Sequence, residues 1–281
     1  MRDVGNEPLA FAEHASLLNS LHPNVGKEFI EQLLSFASLV NSTDLETLKL
    51  IHFPYDRLDL AVRLAESIPN ISLADCLHRI YPYNILYRNS KESKQAVEHM
   101  FKKLSLKRTN ETSSKKTRHI NRQETRAIVE YELNGKQHQI TVPAHDSSSP
   151  IIPPTFIKTP YHEQLLSDLL LSHSSGDICL VGPKGCGKSL MVDHFASLLN
   201  YPVEYFVLYK DLSARELLQQ RITNEHGDTL WQNTPLVEAA IHGRLLVLDG
   251  IHRLNNDTLV SLQRLLQDRE LFLPDGTRLL R

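Results

Sequence analysis

Across residues 24–106 the apolar positions recur at helical spacing. In "GKEFIEQLLSFASLV", Phe29, Leu33, Phe36, Ala37 and Val40 fall on one face of a helix. "DRLDLAVRLAESI" and "SLADCLHRIY" repeat the spacing, each running into a proline, and "SKESKQAVEHMFKKL" closes the series. Residues 1–106 are therefore expected to form a helical bundle of about three to five helices. The period then changes. "AIVEYELNGKQHQITV" alternates apolar and polar residues on both sides of Asn134-Gly135. Asn-Gly accommodates the positive φ angles of a type I′ turn, so a β-hairpin is predicted.

From Tyr161 the pattern becomes mixed. "YHEQLLSDLLLSH" reads as a helix, "DICLV" as a strand bounded by Gly182, "KSLMVDHFASLLN" as a helix and "VEYFVLY" as a strand. "SARELLQQ" reads as a helix with Ser213 and Glu216 spaced as a capping box. "PLVEAAIHG" is a helix that starts on proline and stops on glycine, "RLLVLD" a buried strand, and "NDTLVSLQRLLQDRE" a helix. "LFLPDGTRLL" closes as a hairpin around Asp275-Gly276. Short strands alternating with helices predict an α/β fold with a parallel sheet and crossover helices.

Composition sharpens the organisation. Residues 107–126 hold seven Lys/Arg against two Glu and little that is apolar. Such a segment cannot bury enough surface to order itself, so it reads as a solvated linker, the other reading being a contact with an anionic or nucleic-acid partner. "DSSSPIIPP" reads as a second linker. The expected division is a bundle over 1–106, linkers and hairpin over 107–154, and an α/β core over 155–281. The formal net charge of −2 argues against a dedicated nucleic-acid binder. Cys76, Cys179 and Cys186 are widely spaced and odd in number, which argues for reduced thiols and against a metal cluster. No run approaches the roughly 18 apolar residues of a membrane span. The first 13 residues carry three acids, so they read as neither a secretory signal nor a transit peptide.

The chemistry concentrates in "DICLVGPKGCGKSLMV". Gly182, Gly187, Lys188 and Ser189 satisfy G-x-x-x-x-G-K-[ST] between an expected strand and an expected helix. The loop Gly182-Pro183-Lys184-Gly185-Cys186-Gly187 would curl so that its N–H groups face inward, and the helix beginning near Lys188 would add its positive end. Lys188 would reach the β- and γ-phosphates of ATP, and the Ser189 hydroxyl would ligate Mg²⁺. Asp249, at the carboxyl end of "RLLVLD", is the candidate second metal carboxylate and the candidate catalytic residue. The position after it, often a glutamate that deprotonates water, is Gly250. His252 lies nearby and is either a proton acceptor or a structural hydrogen-bonder. Cys186 is either a redox-sensitive thiol or a small residue that fits the loop.

The stretch "YKDLSARELLQQRITNEHGDTLWQNTPLVEAAIHGRLLVLDGIHRLNNDTLVSLQRLLQDRELFLPDG" resembles the dynein- and midasin-like branch of AAA+ ATPases. The resemblance covers residues 155–281. It implies a P-loop NTPase core binding ATP and Mg²⁺, partnered by other AAA+ modules or subunits in a ring-like assembly, and a mitochondrial location. It also implies that the amino-terminal bundle is the lid of a preceding module, with Arg57 in the place of a sensor arginine. Against the family's five-stranded sheet only three strands are expected here, so the core is expected to be truncated, with the strand before the loop unpaired. Three functions stay open: an ATP-hydrolysing module of a tandem ATPase, a non-hydrolysing nucleotide-binding module, and a protein-interaction fragment. Neither the N-K-x-D motif of GTPases nor the L-S-G-G-Q signature of transporter ATPases occurs.

Overall fold

The computed structural model describes residues 11–42, 50–54, 56–68, 71–107, 116–133, 136–146, 151, 155, 157 and 159–280. Its contacts group into two compact units. One holds residues 1–119, 129–142 and 163–178; the other holds 120–128, 143–162 and 179–281. This grouping departs from the three consecutive segments expected from the sequence. Most of the helix before the phosphate loop packs in the first unit.

That first unit contains α1 (Phe11–Leu21), α2 (Lys27–Ser42), α3 (Asp56–Ser67), α4 (Leu73–Ile80), α5 (Tyr83–Leu86) and α6 (Lys91–Lys103). Leu33, Phe36, Ala37 and Val40 are buried as their spacing requires, joined by Ile30 and Leu34, with Phe29 half-buried against them. Phe36 sits at the centre, edge-to-face with Phe53 at 6.0 Å and Phe101 at 5.3 Å between centroids. Such pairs add roughly 1 kcal/mol each beyond area burial. α7 (Pro160–His173) contributes Asp168 and Ser172 to this unit, where the Arg79 guanidinium donates to both at 2.7 and 2.6 Å.

The alternating stretch forms strands on both sides of Asn134-Gly135, with the turn itself outside the described residues. The sheet has one more strand than expected. β1 (Lys116–Gln123), β2 (Arg126–Leu133) and β3 (Lys136–Pro143) lie in that order. Ala127, Val129 and Tyr131 of β2 and Ile140 and Val142 of β3 are buried, which accounts for the period of two. β1 arises from the basic segment read as a linker. As an edge strand it needs to bury little, and its charged side chains are compatible with an edge facing water.

In the second unit, α8 (Lys188–Leu199), β4 (Val203–Val207), α9 (Ala214–Leu218), β5 (Gln219–Thr223), β6 (Thr229–Asn233), α10 (Pro235–His242) and β7 (Leu245–Asp249) follow in order. A 3₁₀ turn (Ile251–Arg253), α11 (Asn256–Ser261), α12 (Gln263–Gln267), β8 (Glu270–Phe272) and β9 (Arg278–Leu280) complete it. β4 and β7 pair in parallel, from Val203 against Leu245 to Val207 against Asp249. Their crossover runs through α9, the β5–β6 hairpin and α10. One face of the pair, Phe206, Leu246 and Leu248, packs on a core of Leu208, Leu212, Leu217, Leu236, Val237, Leu254, Leu262, Leu271 and Leu273.

Several local readings hold. Ser213 and Glu216 form the capping box, α10 starts on Pro235 and is stopped by Gly243 at φ 64°, and β8 and β9 flank the Asp275-Gly276 turn. Three differ. Residues 177–183 carry neither helix nor strand, because no strand among the described residues lies beside them to form a ladder. The helix over residues 256–270 is broken at Leu262 into α11 and α12. Beyond α9 the chain turns into an antiparallel β5–β6 hairpin, from Gln219 against Asn233 to Thr223 against Thr229. Its turn is set by the Asn224 side chain, which accepts from the N–H groups of His226 and Asp228 at 3.0 and 2.8 Å, and by Gly227 at φ 87°.

Candidate functional site

The loop ahead of α8 takes the shape its glycines permit. Gly185 and Gly187 stand at φ 79° and 84°, left-handed conformations that a side chain at either position would strain. Gly182 is fixed by crowding: a Cβ there would come within 3.1 Å of the Cys186 sulfur. Gly187 precedes α8 without a side-chain cap, so the helix's first N–H donors stay open at an exposed amino end. Gly182, Pro183, Lys184, Gly185, Cys186 and Gly187 are all exposed. Lys188 Nζ donates back to the carbonyls of Gly182 at 3.0 Å and Pro183 at 2.7 Å and approaches the Cys186 sulfur at 3.7 Å. The ammonium is thus held against the loop, and Ser189 follows it in the first turn of α8, exposed.

Asp249 ends β7 with its carboxylate exposed, while its carbonyl accepts from Leu208 N–H at 2.8 Å. Its main chain belongs to the sheet and its side chain is available for chemistry. Gly250 then bends away at φ 87°, and a Cβ there would meet the Arg253 side chain at 3.2 Å. The missing glutamate is thus matched by a backbone that a side chain would strain. His252 lies exposed in the 3₁₀ turn.

One side chain absent from the sequence reading joins these parts. Tyr205 lies in β4 opposite Val247, and Val207 lies opposite Asp249. Alternation along a strand therefore sets Tyr205 and Asp249 on the same face, the reverse of the face that packs on the leucine core. The Tyr205 hydroxyl donates to Asp193 Oδ1 on α8 at 2.6 Å and lies 3.5 Å from the Ser189 carbonyl. Burial first, then the Asp193 hydrogen bond and charge, then the charge of Asp249, push the phenol well above its ordinary pKa. It stays a neutral donor at physiological pH. α8, with Ser189, is so fastened to the face of the sheet that carries Asp249.

The donor set fits a magnesium–nucleotide ligand: open helix N–H groups and an ammonium for phosphate, a hydroxyl and a carboxylate for a hard cation. Among the described residues no three His, Cys, Asp or Glu side chains gather into a metal site of their own. A cation at Ser189 and Asp249 would therefore complete its coordination from phosphate oxygens and water. Arg57 is exposed on α3. No helix among the described residues is long and apolar enough to cross a membrane.

Comparison with known proteins agrees with this geometry. The family described as AAA domain (dynein-related subfamily) matches residues 177–281. Mouse von Willebrand factor A domain-containing protein 8 is 44% identical over 280 residues, covering 97% of this chain and 15% of that protein. Midasin of Dictyostelium discoideum is 33% identical over 138 residues, covering 48% of this chain and 2% of that protein. Denitrification regulatory protein NirQ of Stutzerimonas stutzeri is 38% identical over 97 residues, 34% of this chain and 35% of that protein. The chain thus spans a small share of the length of these relatives.

Proposed function

Residues 177–281 belong to the dynein-related AAA family, and from that premise we propose that this chain binds MgATP as one module of a larger, multi-module ATPase. The observation that carries the reading is the exposed loop 182–187 with Lys188 Nζ held against it by two of its own carbonyls. Phosphate oxygens would replace those carbonyls as acceptors, exchanging neutral partners for charged ones and strengthening each hydrogen bond. The Ser189 hydroxyl and the Asp249 carboxylate would hold a magnesium ion, whose chemistry there would be to neutralise phosphate charge. Asp249 is then the residue on which hydrolysis depends. Partners in such an assembly are neighbouring AAA modules or subunits, and the mitochondrial location implied by resemblance belongs to the same proposal.

Gly250 favours a second reading, in which the nucleotide is retained without turnover. No carboxylate follows Asp249, and the left-handed backbone there disfavours one. Two measurements separate the readings. Thermal melts with and without MgATP are run on the chain and on Lys188→Ala. Binding at a hundred times Kd stabilises the folded state by about 2.7 kcal/mol, so the midpoint of the unaltered chain is expected to rise by several degrees and that of Lys188→Ala to stay put. Equal shifts, or none, would sink the nucleotide reading. Phosphate release above background, abolished by Asp249→Asn, distinguishes hydrolysis from retention.

A further inference from the structure

We infer that the Tyr205 hydroxyl, acting through Asp193, is a positioning group for the metal end of the nucleotide site. The inference rests on the nucleotide reading and adds to it a pair that no sequence motif marks.

Ser189 and Asp193 are four residues apart on α8, one turn of helix, so they share a face. Tyr205 and Asp249 share a face of the β4–β7 pair, two residues apart in register across the two strands. The phenol has one hydrogen. Asp193 takes it at 2.6 Å, and the Ser189 carbonyl lies at the outer limit of a hydrogen bond at 3.5 Å. The bond is charge-assisted and therefore among the stronger kinds. It ties α8 to the sheet one turn beyond Ser189 and so sets the height of the helix above the sheet. Ser189 would reach a cation from the first turn of α8, and Asp249 from the sheet.

Without the bond, α8 is still attached by its buried face of Met191, Phe195, Ala196 and Leu199. The helix remains in place, but the separation between the serine hydroxyl and the aspartate is no longer fixed. Loop N–H groups and Lys188 read phosphate from within one continuous stretch and do not need that separation. A cation held jointly by α8 and β7 does. The bond should therefore matter to magnesium and hardly to phosphate.

ADP affinity is measured on the full 281-residue chain in magnesium and in EDTA, by calorimetry, for the unaltered protein, Tyr205→Phe, Asp193→Asn and the double variant. Tyr205→Phe keeps the ring and removes one oxygen. The expected result is EDTA affinity unchanged within about twofold and magnesium affinity weakened about tenfold, the scale of one charge-assisted hydrogen bond. Asp193→Asn should give the same pattern, and the double variant should be no worse than either single one. In the ligand-free chain, amide exchange over residues 189–193 should quicken in Tyr205→Phe while that of β7 stays unchanged. Equal losses in magnesium and EDTA would mean that the pair merely holds the loop, and no loss in either would make it ordinary packing; both overturn the inference. If the unaltered chain binds ADP in neither buffer, the nucleotide reading itself fails.

Discussion

His22 is 8% exposed, yet both of its ring nitrogens meet carboxylates: Nε2 at 2.9 Å from Asp59 and Nδ1 at 3.0 Å from Glu66. An imidazole can donate from both nitrogens only as the cation. Burial, the largest single influence, pulls its pKa down, but the hydrogen bonds and charges of Asp59 and Glu66 together raise it above 6.5. The His22 and Asn24 hydrogen bonds hold Glu66 below its ordinary value. The signs fix the pH window. The stabilisation from His22 is complete below 6.5 and lost as pH rises through the raised value; that from Glu66 is lost as pH falls through its lowered one. His22→Gln should therefore cost about 1 kcal/mol near pH 5.5 and much less near pH 9, read from paired chemical melts. An equal cost at both would mean that the ring is held neutral. The partners lie 37 and 44 positions away in the chain, so no local pattern announces them. The same is true of Asp193 and Tyr205, whereas the phosphate loop is legible because all its donors lie within eight consecutive residues.

At the level of elements, the β5–β6 hairpin is tied to the closing turn of the chain by a single amide. Gln219, 2% exposed, donates to Asn233 Oδ1 and Asp275 Oδ2, each at 2.9 Å, and accepts from Asp275 N–H at 3.1 Å. Replacing it with alanine leaves three groups short of a partner. Gln219→Ala should lower the melting midpoint by several degrees, and Gln219→Glu should not restore it, because a carboxylate cannot donate to Asp275. Recovery in Gln219→Glu would contradict the bonding scheme. On sequence alone the α9 helix runs through this residue, because "ELLQQ" continues a good helix-former run. The competing signal, Asn224 and Gly227 at a turn between two β-rich stretches, is present and local. "DICLV" departs from its expected strand for a different reason: a run suited to a strand becomes one only when another strand lies alongside it.

For the molecule as a whole, the α/β character of the second unit, its parallel pairing and its crossover were legible from the alternation of short elements. The grouping of residues 163–178 with the helical bundle was not, because contacts such as that of Arg79 with Asp168 span 89 positions of the chain. The stretch that leads into the phosphate loop has a consequence for handling the protein. Residues 177–183 have no ladder partner among the described residues, and Val181 is 67% exposed. A protease grips its substrate by laying a strand along it, so an unladdered, uncovered stretch is what it seeks. Limited digestion should nick the chain there early, and MgATP seated in the adjoining loop should delay that cut while leaving cuts in the helical unit at their former rate. Cleavage at the two places slowed to the same degree would point to general stabilisation. The approach to the phosphate loop is thus its own reporter, legible on a gel without a label.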